Sequence, residues 1–416
     1  MYRKIEDISK NFDKFRKPLS SRERSKIQGE YPYYGAAKII DYVDGFTHTG
    51  LSLLIAEDGS VETEEGFPVL QLANGKYWVN NHTHVLKGEN DYETKYLYYA
   101  LKQVKISPFI TGAVQKKISQ KALNSIEVRF LENASDRKKV VDTLDAFDQK
   151  ITLNTQTNQT LEQIAQGIFK HWFIDFAPVH AKANALARGE TTEQAELAAM
   201  ACLSGKTAEK ITALQHTAPE AYHQLQQTAR AFPSEFVESE MGLVPKGWEV
   251  KKIDEVIQKI PVGKKYNQKT TVPDGKIPVL DQGKSGIIGF HNDTAGVKAN
   301  IQDPVIVFAN HTCYMRLIHF DFSTIQNVFA FKGKNINIYW IYLATLGKQK
   351  FVEYKGHFPD FLIKQIVVPP KELTEIFGNI VKDSFSKIAL NLDTNETLAK
   401  TRDLLLPRLL SGEIEL

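Results

Sequence analysis

The sequence predicts an α+β protein in which two similar globular domains are separated by two long helices that pair as an antiparallel coiled coil. Three observations support this fold class. A twelve-residue segment occurs almost twice, each copy lies in a helical pattern, and shorter similarities continue through the regions that precede the two copies. The chain is therefore predicted to contain a pseudo-two-fold internal repeat.

The repeated segment reads KITLNTQTNQTL at 150–161 and KIALNLDTNETL at 387–398. Eight of the twelve positions are identical without a gap, at a separation of 237 residues. Around both copies, the positions predicted to face a partner helix recur at alternating spacings of three and four residues, which is typical of coiled-coil helices. The alternative is a pair of unrelated amphipathic surface helices, but the matching sequences disfavour it.

Each copy places two asparagines in its otherwise mainly apolar stripe. A buried asparagine lowers stability but penalises a slipped register, because slippage leaves its amide unpaired. Leucine in place of the first asparagine of either copy is therefore predicted to stabilise the helices and to loosen their register. The four predicted register residues are Asn154, Asn158, Asn391 and Asn395.

The order of these patterns divides the chain into five regions. Pro178 is predicted to end the first long helix, and Pro407 falls in the last turns of the second. The segment that follows Pro178 is rich in Ala, Gln, Glu and Thr, which predicts short helices. The regions are a first globular domain (1–132), a first long helix (133–177), a helical connector (178–245), a second globular domain (246–370) and a second long helix (371–416).

Composition limits the possible classes of protein. A chain of 416 residues is too long for one ordinary core, which agrees with several domains. Its two cysteines provide neither a disulfide framework nor a zinc pattern, and Met1 is followed by charged residues, so we expect a cytoplasmic protein with no membrane association. A net charge of +3 restricts any nucleic-acid binding to local basic patches.

The predicted geometry suits a target with two separated parts. A helix of about 40 residues is roughly 60 Å long, and antiparallel pairing would carry the two globular domains to opposite ends. Two similar domains at a fixed separation match duplex DNA, whose contacts repeat along one axis. The helix length limits the separation of the two contacted centres to less than about 18 base pairs.

Several motifs carry a resemblance that covers nearly the whole chain. The first half contains YYGA at 33–36, EDG at 57–59, WVNNHTHVL at 78–86 and ITGAVQKKI at 110–118. The second contains PVL at 278–280, VIVFANHT at 305–312 and YKGH at 354–357, preceded by the lead-in GLVPKGW at 242–248. The chain resembles the specificity subunit of type I DNA restriction–modification systems, and its two globular regions resemble target-recognition domains of that family.

The resemblance implies a non-catalytic subunit, without a cofactor or metal, that reads double-stranded DNA. Each recognition domain would read one half of a bipartite site, and the helices would set the gap and bind two methyltransferase subunits. Restriction and translocase subunits would join that complex. The family often has a Pro-x-Gly-Trp lead-in before the first domain, whereas here the chain begins at MYRKI. The first domain is therefore predicted to lack a small edge element.

Polar and basic residues that follow predicted strands or glycines are the candidate DNA contacts. Asparagine and glutamine can pair with adenine, arginine and lysine with guanine, and any cation with phosphate. The alternatives are Asn and His side chains that cap their own loops, and lysines that are merely solvated. A metal site at His82 and His84 is disfavoured because neither Cys nor carboxylate clusters lie nearby in sequence. The candidates are Lys38, Asn80, Asn81, His82, Gln115, Lys116, Lys117 and Lys121 in the first half, and Lys284, Asn310, His311, Thr312, Arg316, Lys355 and His357 in the second.

Two other classes of function stay open on the sequence. A coiled-coil scaffold whose globular domains bind protein would need the same helices but no DNA contacts. A degenerate methyltransferase is a weaker alternative, because the sequence has neither the Asn/Asp-Pro-Pro-Tyr/Phe segment of amino-methyltransferases nor a phosphate-binding glycine loop. No catalytic residues are predicted.

Overall fold

The computed structural model describes residues 1–112, 115–283, 286–353 and 355–414. The chain forms two compact units. The first consists of Met1–Asn154 with Thr394–Leu416, and the second of Thr155–Asp393. In the described part of the chain, none of the helices combines the length and the apolar character that a membrane span requires.

The first unit combines small sheets with helices. Its helices are α1 (Ile5–Ile8), α2 (Ser21–Arg24), α3 (Asp91–Leu101), α4 (Gln120–Asn124) and the first part of α5 (Ala134–Phe169). Its strands are β1 (Tyr2–Lys4), β2 (Lys10–Asn11), β3 (Gln28–Tyr34), β4 (Ile39–Val43), β5 (His48–Thr49), β6 (Ser52–Ala56), β7 (Leu70–Ala73), β8 (Lys76–Val79), β9 (Thr83–Lys87) and β10 (Glu127–Arg129). They form sheets ordered β2-β9-β6-β7 and β4-β3-β8-β5, with β1 paired to β10.

The second unit begins with the remainder of α5 and a helical segment. Its further helices are α6 (Ala177–Ala187), α7 (Thr192–Ser204), α8 (Ala208–Thr217), α9 (Pro219–Ala231), α10 (Ile253–Val256), α11 (Ile338–Thr345), α12 (Phe358–Leu362) and the first part of α13 (Lys371–Ser411). Its strands are β11 (Phe236–Ser239), β12 (Gly242–Pro245), β13 (Glu249–Lys252), β14 (Ile257–Ile260), β15 (Lys265–Tyr266), β16 (Ile277–Leu280), β17 (Ile287–His291), β18 (Val305–Ala309), β19 (Met315–Ile318), β20 (Ser323–Ile325), β21 (Val328–Gly333) and β22 (Gln365–Val368).

The two globular domains share most of their topology, which confirms the predicted internal repeat. The sheet β14-β21-β18-β19 of the second domain matches β2-β9-β6-β7 of the first. Three strands of the sheet β17-β16-β20-β15 match β4-β3-β8. The fourth strand differs: β15 precedes β16 in the chain and runs parallel to β20, whereas β5 follows β4 and runs antiparallel to β8. The central strands β6 and β18 are buried along their whole length, as expected for strands covered on both faces.

The pairing of β13 with β22 repeats the pairing of β1 with β10. The first domain therefore contains the same strand pairing as the second. The second domain has in addition the hairpin β11–β12, which includes part of the lead-in motif. Among the described residues of the first unit this hairpin has no counterpart.

Pro178 does not end the first long helix, contrary to the prediction. After α5 the chain makes a π-helical turn at Lys170–Ile174, and Phe176 then adopts a left-handed conformation with a φ of 48°. Pro178 lies in the first turn of α6, where proline is tolerated because the N–H it lacks would have no helical partner. The break therefore occurs two residues before the proline.

The two long helices pack against each other in both units, and the order of their contacts is antiparallel. In the first unit, Val140 and Leu144 of α5 share a core with Leu406 and Leu409 of α13. In the second unit, the later residues of α5 share a core with the earlier residues of α13, among them Phe377. The predicted partner-facing positions recur at spacings of three and four residues from Leu144 to Trp172 and from Val381 to Leu409. All of them are buried or partly buried, so the predicted helical faces are confirmed.

Candidate nucleic-acid interface

Three loops meet at the end of the central strand β6 in the first domain. Ala56, the last residue of β6, pairs with Thr83 of β9. Directly beyond this pair, the backbone N–H of Glu57 donates to the carbonyl of His82 at 2.9 Å. The carbonyl of Glu57 in turn accepts from the N–H of Ile118 at 2.9 Å. The loops after β6, before β9 and before α4 are therefore held together by backbone hydrogen bonds.

The second domain repeats this arrangement at the end of β18. Ala309 pairs with Val328 of β21, and the N–H of Asn310 donates to the carbonyl of Asn327 at 2.9 Å. The carbonyl of Asn310 accepts from the N–H of His357 at 3.0 Å. The same three loops thus meet in both domains.

Matching these backbone bonds gives the equivalent positions of the two domains. Asp58 and His82 of the first domain correspond to His311 and Asn327 of the second. We call each couple a strand-exit pair. Lys116, two residues before Ile118, corresponds to Lys355, two residues before His357. The backbone hydrogen bonds thus relate the two lysine-containing loops residue by residue.

The side chains of both strand-exit pairs are in contact. In the first domain, Nδ1 of His82 lies 2.8 Å from each carboxylate oxygen of Asp58. In the second domain, Nε2 of His311 lies 3.2 Å from Nδ2 of Asn327. The other ring nitrogen of His311 lies 2.9 Å from the carbonyl oxygen of Lys355, which connects the pair to the lysine loop.

A buried ionic cluster supports the strand-exit pair of the first domain. Arg16 donates to Glu57 and to the carbonyl of Thr83, and its guanidinium lies 3.4 Å from Asp13. The ammonium of Lys117 lies 3.0 Å from the other carboxylate oxygen of Glu57. Two carboxylates and their cationic partners therefore lie directly beneath the exposed loop.

His84 completes this cluster and is almost fully buried. Its Nδ1 lies 2.6 Å from Asp13 and its Nε2 lies 2.9 Å from the carbonyl of Ile118. Both ring nitrogens of His84 therefore face oxygen atoms, which fixes the orientation of the ring. Asp13, Glu57 and His84 are close enough together to hold a metal ion, with their donor atoms within 4.8 Å. The contacts of His84 and the cation of Arg16 explain this grouping as an ion-pair network instead.

The cluster favours ionised carboxylates. Burial by itself would raise the pKa of Asp13, but the hydrogen bond and charge of His84 and the N–H of Val85 hold that pKa below its ordinary value. Burial also opposes ionisation of Glu57, yet hydrogen bonds from Arg16 and Lys117 lower its pKa. Both carboxylates thus act as anions that fix the basic side chains around them.

Three predicted contact residues have contacts typical of structural roles. Asn80 is buried, and its side-chain oxygen accepts from the N–H of His82 at 2.9 Å. Asn310 is buried, and its side-chain oxygen accepts from the N–H of Phe358 at 2.8 Å. His357 is fully buried, with Nε2 3.0 Å from the carbonyl of Glu353. These side chains stabilise the loops in the way that the alternative sequence interpretation describes.

Most of the other candidates are exposed. Lys116 contacts Glu62 at 2.7 Å, whereas Lys355 lies 3.4 Å from both Glu353 and Asp360. Lys38 lies in the turn between β3 and β4, and Lys284 lies outside the described residues. The exposed candidates are Lys38, Asn81, His82, Gln115, Lys116, Lys117, Lys121, Thr312 and Lys355, while His311 is half-buried.

The loop after β16 joins the site of the second domain. Gln282 accepts from the backbone N–H of His311 at 2.8 Å through its side-chain oxygen, and its carbonyl accepts from the hydroxyl of Thr312 at 2.6 Å. Arg316 is half-buried and lies 3.4 Å from the carbonyls of Asp281 and Gly286, which places it as a brace of this loop. These contacts hold the segment that flanks the strand exit.

Sequence reasoning missed Arg16, Gln282 and Asn327. The signal of Arg16 was weak because it lies about 40 residues before Glu57, in a segment with many other cations. Asn327 lies in the short link between β20 and β21, outside the motifs from which the candidate contacts were chosen. Its φ of 63° is a conformation that asparagine tolerates better than most residues, but this is visible only in the folded chain.

The fold and its repeated loop sites define a duplicated α+β protein with two equivalent surface sites. Comparison with known proteins identifies its family. The family model described as type I restriction modification DNA specificity domain matches residues 1–163. The HindI specificity subunit of Haemophilus influenzae is 37% identical over 309 residues, covering 67% of each chain. The chain belongs to the family of type I restriction enzyme specificity subunits.

More distant relatives agree with this assignment. The MjaIX specificity subunit of Methanocaldococcus jannaschii is 22% identical over 351 residues, covering 77% of this chain and 69% of that protein. The crystal structure of the type I restriction–modification S subunit from M. genitalium matches with a TM-score of 0.53 at 17% identity. That match covers 98% of this chain and 95% of the other, and it supports the fold.

Proposed function

We propose that this chain is the non-catalytic DNA-specificity subunit of a cytoplasmic type I restriction–modification complex. Each globular domain reads one half of a bipartite double-stranded DNA site. The paired helices set the spacing of the two half-sites and bind two methyltransferase subunits, to which restriction and translocase subunits are added. The observation that carries this proposal is the repetition of one exposed polar and basic loop site in two domains of closely similar topology.

The chemistry of these sites supports DNA as the ligand. Lys116 and Lys355 occupy equivalent positions, and a lysine at the edge of a reading surface is suited to a phosphate. The neighbouring strand-exit pairs differ between the domains, with an acid and a histidine in one and a histidine and an amide in the other. Equivalent basic residues beside unlike polar residues fit a protein that contacts two DNA segments similarly but reads different sequences in them.

The domain boundaries predicted from the sequence suggest the deciding experiment. Residues 1–132 are replaced by the first domain of another family member, and the chimera is co-expressed with the cognate methyltransferase subunits. Glu93, Lys95 and Tyr99 are retained, because they contact Arg137, Asp145 and Asp148 of α5. Methylated sites are then mapped by sequencing. One half of the recognised site should change while the other half and the spacing stay the same.

The result also separates the alternatives. A scaffold without DNA specificity would give the same methylated sites before and after the exchange, and no salt-sensitive DNA binding. If both half-sites changed together, the assignment of one half-site to each domain would be wrong. The control is a gene that encodes the unchanged protein with synonymous codons for residues 1–132. It shows whether a change in expression alone alters the methylation pattern.

A further inference from the structure

The strand-exit pairs hold their exposed members in defined hydrogen-bonding states. In the first domain the exposed member is His82, whose side chain is 48% accessible. Both oxygens of Asp58 lie at 2.8 Å from Nδ1, so in the neutral form of the ring it is Nδ1 that carries the hydrogen. The remaining ring nitrogen, Nε2, then has a lone pair and acts as an acceptor. A fixed tautomer is what a residue needs if it is to discriminate between donors and acceptors.

The pair of the second domain leaves a different set of groups. His311 directs Nδ1 at the carbonyl of Lys355, so Nδ1 carries a hydrogen and Nε2 accepts. Nδ2 of Asn327, at 3.2 Å, donates to that Nε2. This contact fixes which end of the amide is the nitrogen. The exposed Asn327 keeps its carbonyl oxygen as an acceptor and its second N–H as a donor.

These groups match particular base edges in the major groove. Only adenine and cytosine offer an amino donor there, at N6 and N4, to an acceptor such as Nε2 of His82. An amide with one acceptor and one donor matches N6 and N7 of adenine in a bidentate manner. His82 and Asn327 occupy equivalent positions, each directly before the strand that pairs with the end of β6 or β18. The equivalent lysines of the neighbouring loop can contact the DNA backbone.

We propose that His82 and Asn327 are equivalent specificity-determining residues, His82 reading the amino group of adenine or cytosine in one half-site and Asn327 reading adenine in the other. Asp58 and His311 are positioning residues that set the hydrogen-bonding state of the reader. This assignment rests on the proposed function, because it presumes that each domain contacts its own half-site.

The test uses the full chain co-expressed with its methyltransferase subunits, and sequencing of methylated sites as the readout. In Asn327→Gly, which accepts the left-handed backbone without strain, one adenine position in a single half-site should become degenerate. Discrimination at that position should fall by roughly 5- to 150-fold. In His82→Ala, one adenine or cytosine position in the opposite half-site should become degenerate, and each variant should leave the other half-site unchanged.

Asn335→Gly is the matched control. Asn335 is also exposed, lies in the same domain and has a φ of 57°, but it lies outside the site. It should leave the recognised sequence unaltered. A second variant, Asn327→Asp, keeps the side-chain shape but replaces the amide donor by an acceptor, so preference at the same position should move from adenine towards cytosine.

The outcomes distinguish a wrong assignment of the reading residues from a wrong proposed function. If the wild-type complex methylates no bipartite sequence, the proposed function fails. If the wild type methylates such a sequence but the His82 and Asn327 variants only lower methylation evenly at the same sites, the inference is wrong and the function stands. A change in the same half-site for both residues would also overturn it.

Discussion

Asn391 donates the Nδ2–H of its side chain to Oδ1 of Asn158 across 2.8 Å. In the first unit the same bond runs from Asn154 to Asn395, also at 2.8 Å. The donor belongs to α13 in one pair and to α5 in the other, so the repeated segment generates two equivalent bonds with the helices exchanged. The amides also lie near the backbone, since Nδ2 of Asn158 is 3.4 Å from the carbonyl of Ile388.

These pairs change the predicted effect of leucine substitutions. A single Asn391→Leu removes the donor to Oδ1 of Asn158, which is partly buried, and this costs about 1–3 kcal/mol of the free energy of unfolding. The double variant Asn158→Leu/Asn391→Leu removes both partners and should be neutral or more stable than the wild type. Denaturant unfolding of the full chain measures both. If Asn391→Leu alone raised the free energy of unfolding, the hydrogen bond between the two amides would not be stabilising.

The ionic cluster of the first domain predicts a loss of stability in acid. The folded pKa values of Asp13 and Glu57 lie below their ordinary values of 3.8 and 4.5, so their stabilising contribution is complete above these values. It is lost as the pH falls through the lowered folded values, because the native state must then take up protons. The melting temperature followed from pH 6 to pH 3 should decline more steeply in the wild type than in Asp13→Asn/Glu57→Gln. Equal slopes would contradict the role of these carboxylates.

Lys116 and Lys355 predict a common salt dependence of DNA binding. If each neutralises one phosphate, Lys116→Gln or Lys355→Gln should lower the slope of log affinity against log salt by about one unit in the assembled complex. The recognised sequence should not change. Lys138→Gln is the control, since Lys138 is paired with Asp142 on α5 and lies outside the loop sites. An unchanged slope in both lysine variants would remove these residues from the DNA interface.

The duplication made the fold class predictable. Polar side chains at the strand exits were also visible in sequence as Asn80, His82, Asn310 and His311. Which of them are exposed was not visible, because exposure depends on how the loops close over one another. Asn80 and Asn310 are buried and accept hydrogen bonds from backbone N–H groups, whereas Asn327 is exposed.

By itself, the sequence determined the repeated architecture, the two long helices with their buried asparagines, and the family. Periodicity and repetition are visible in the order of residues along the chain, without knowledge of the folded structure. Only the tertiary structure decided that Asn154 pairs with Asn395 and Asn158 with Asn391, that Arg16 stands over Glu57, and that His82 and Asn327 are equivalent. These relationships join residues that are far apart in the chain, and they arise only when strand register and helix packing bring them within hydrogen-bonding distance.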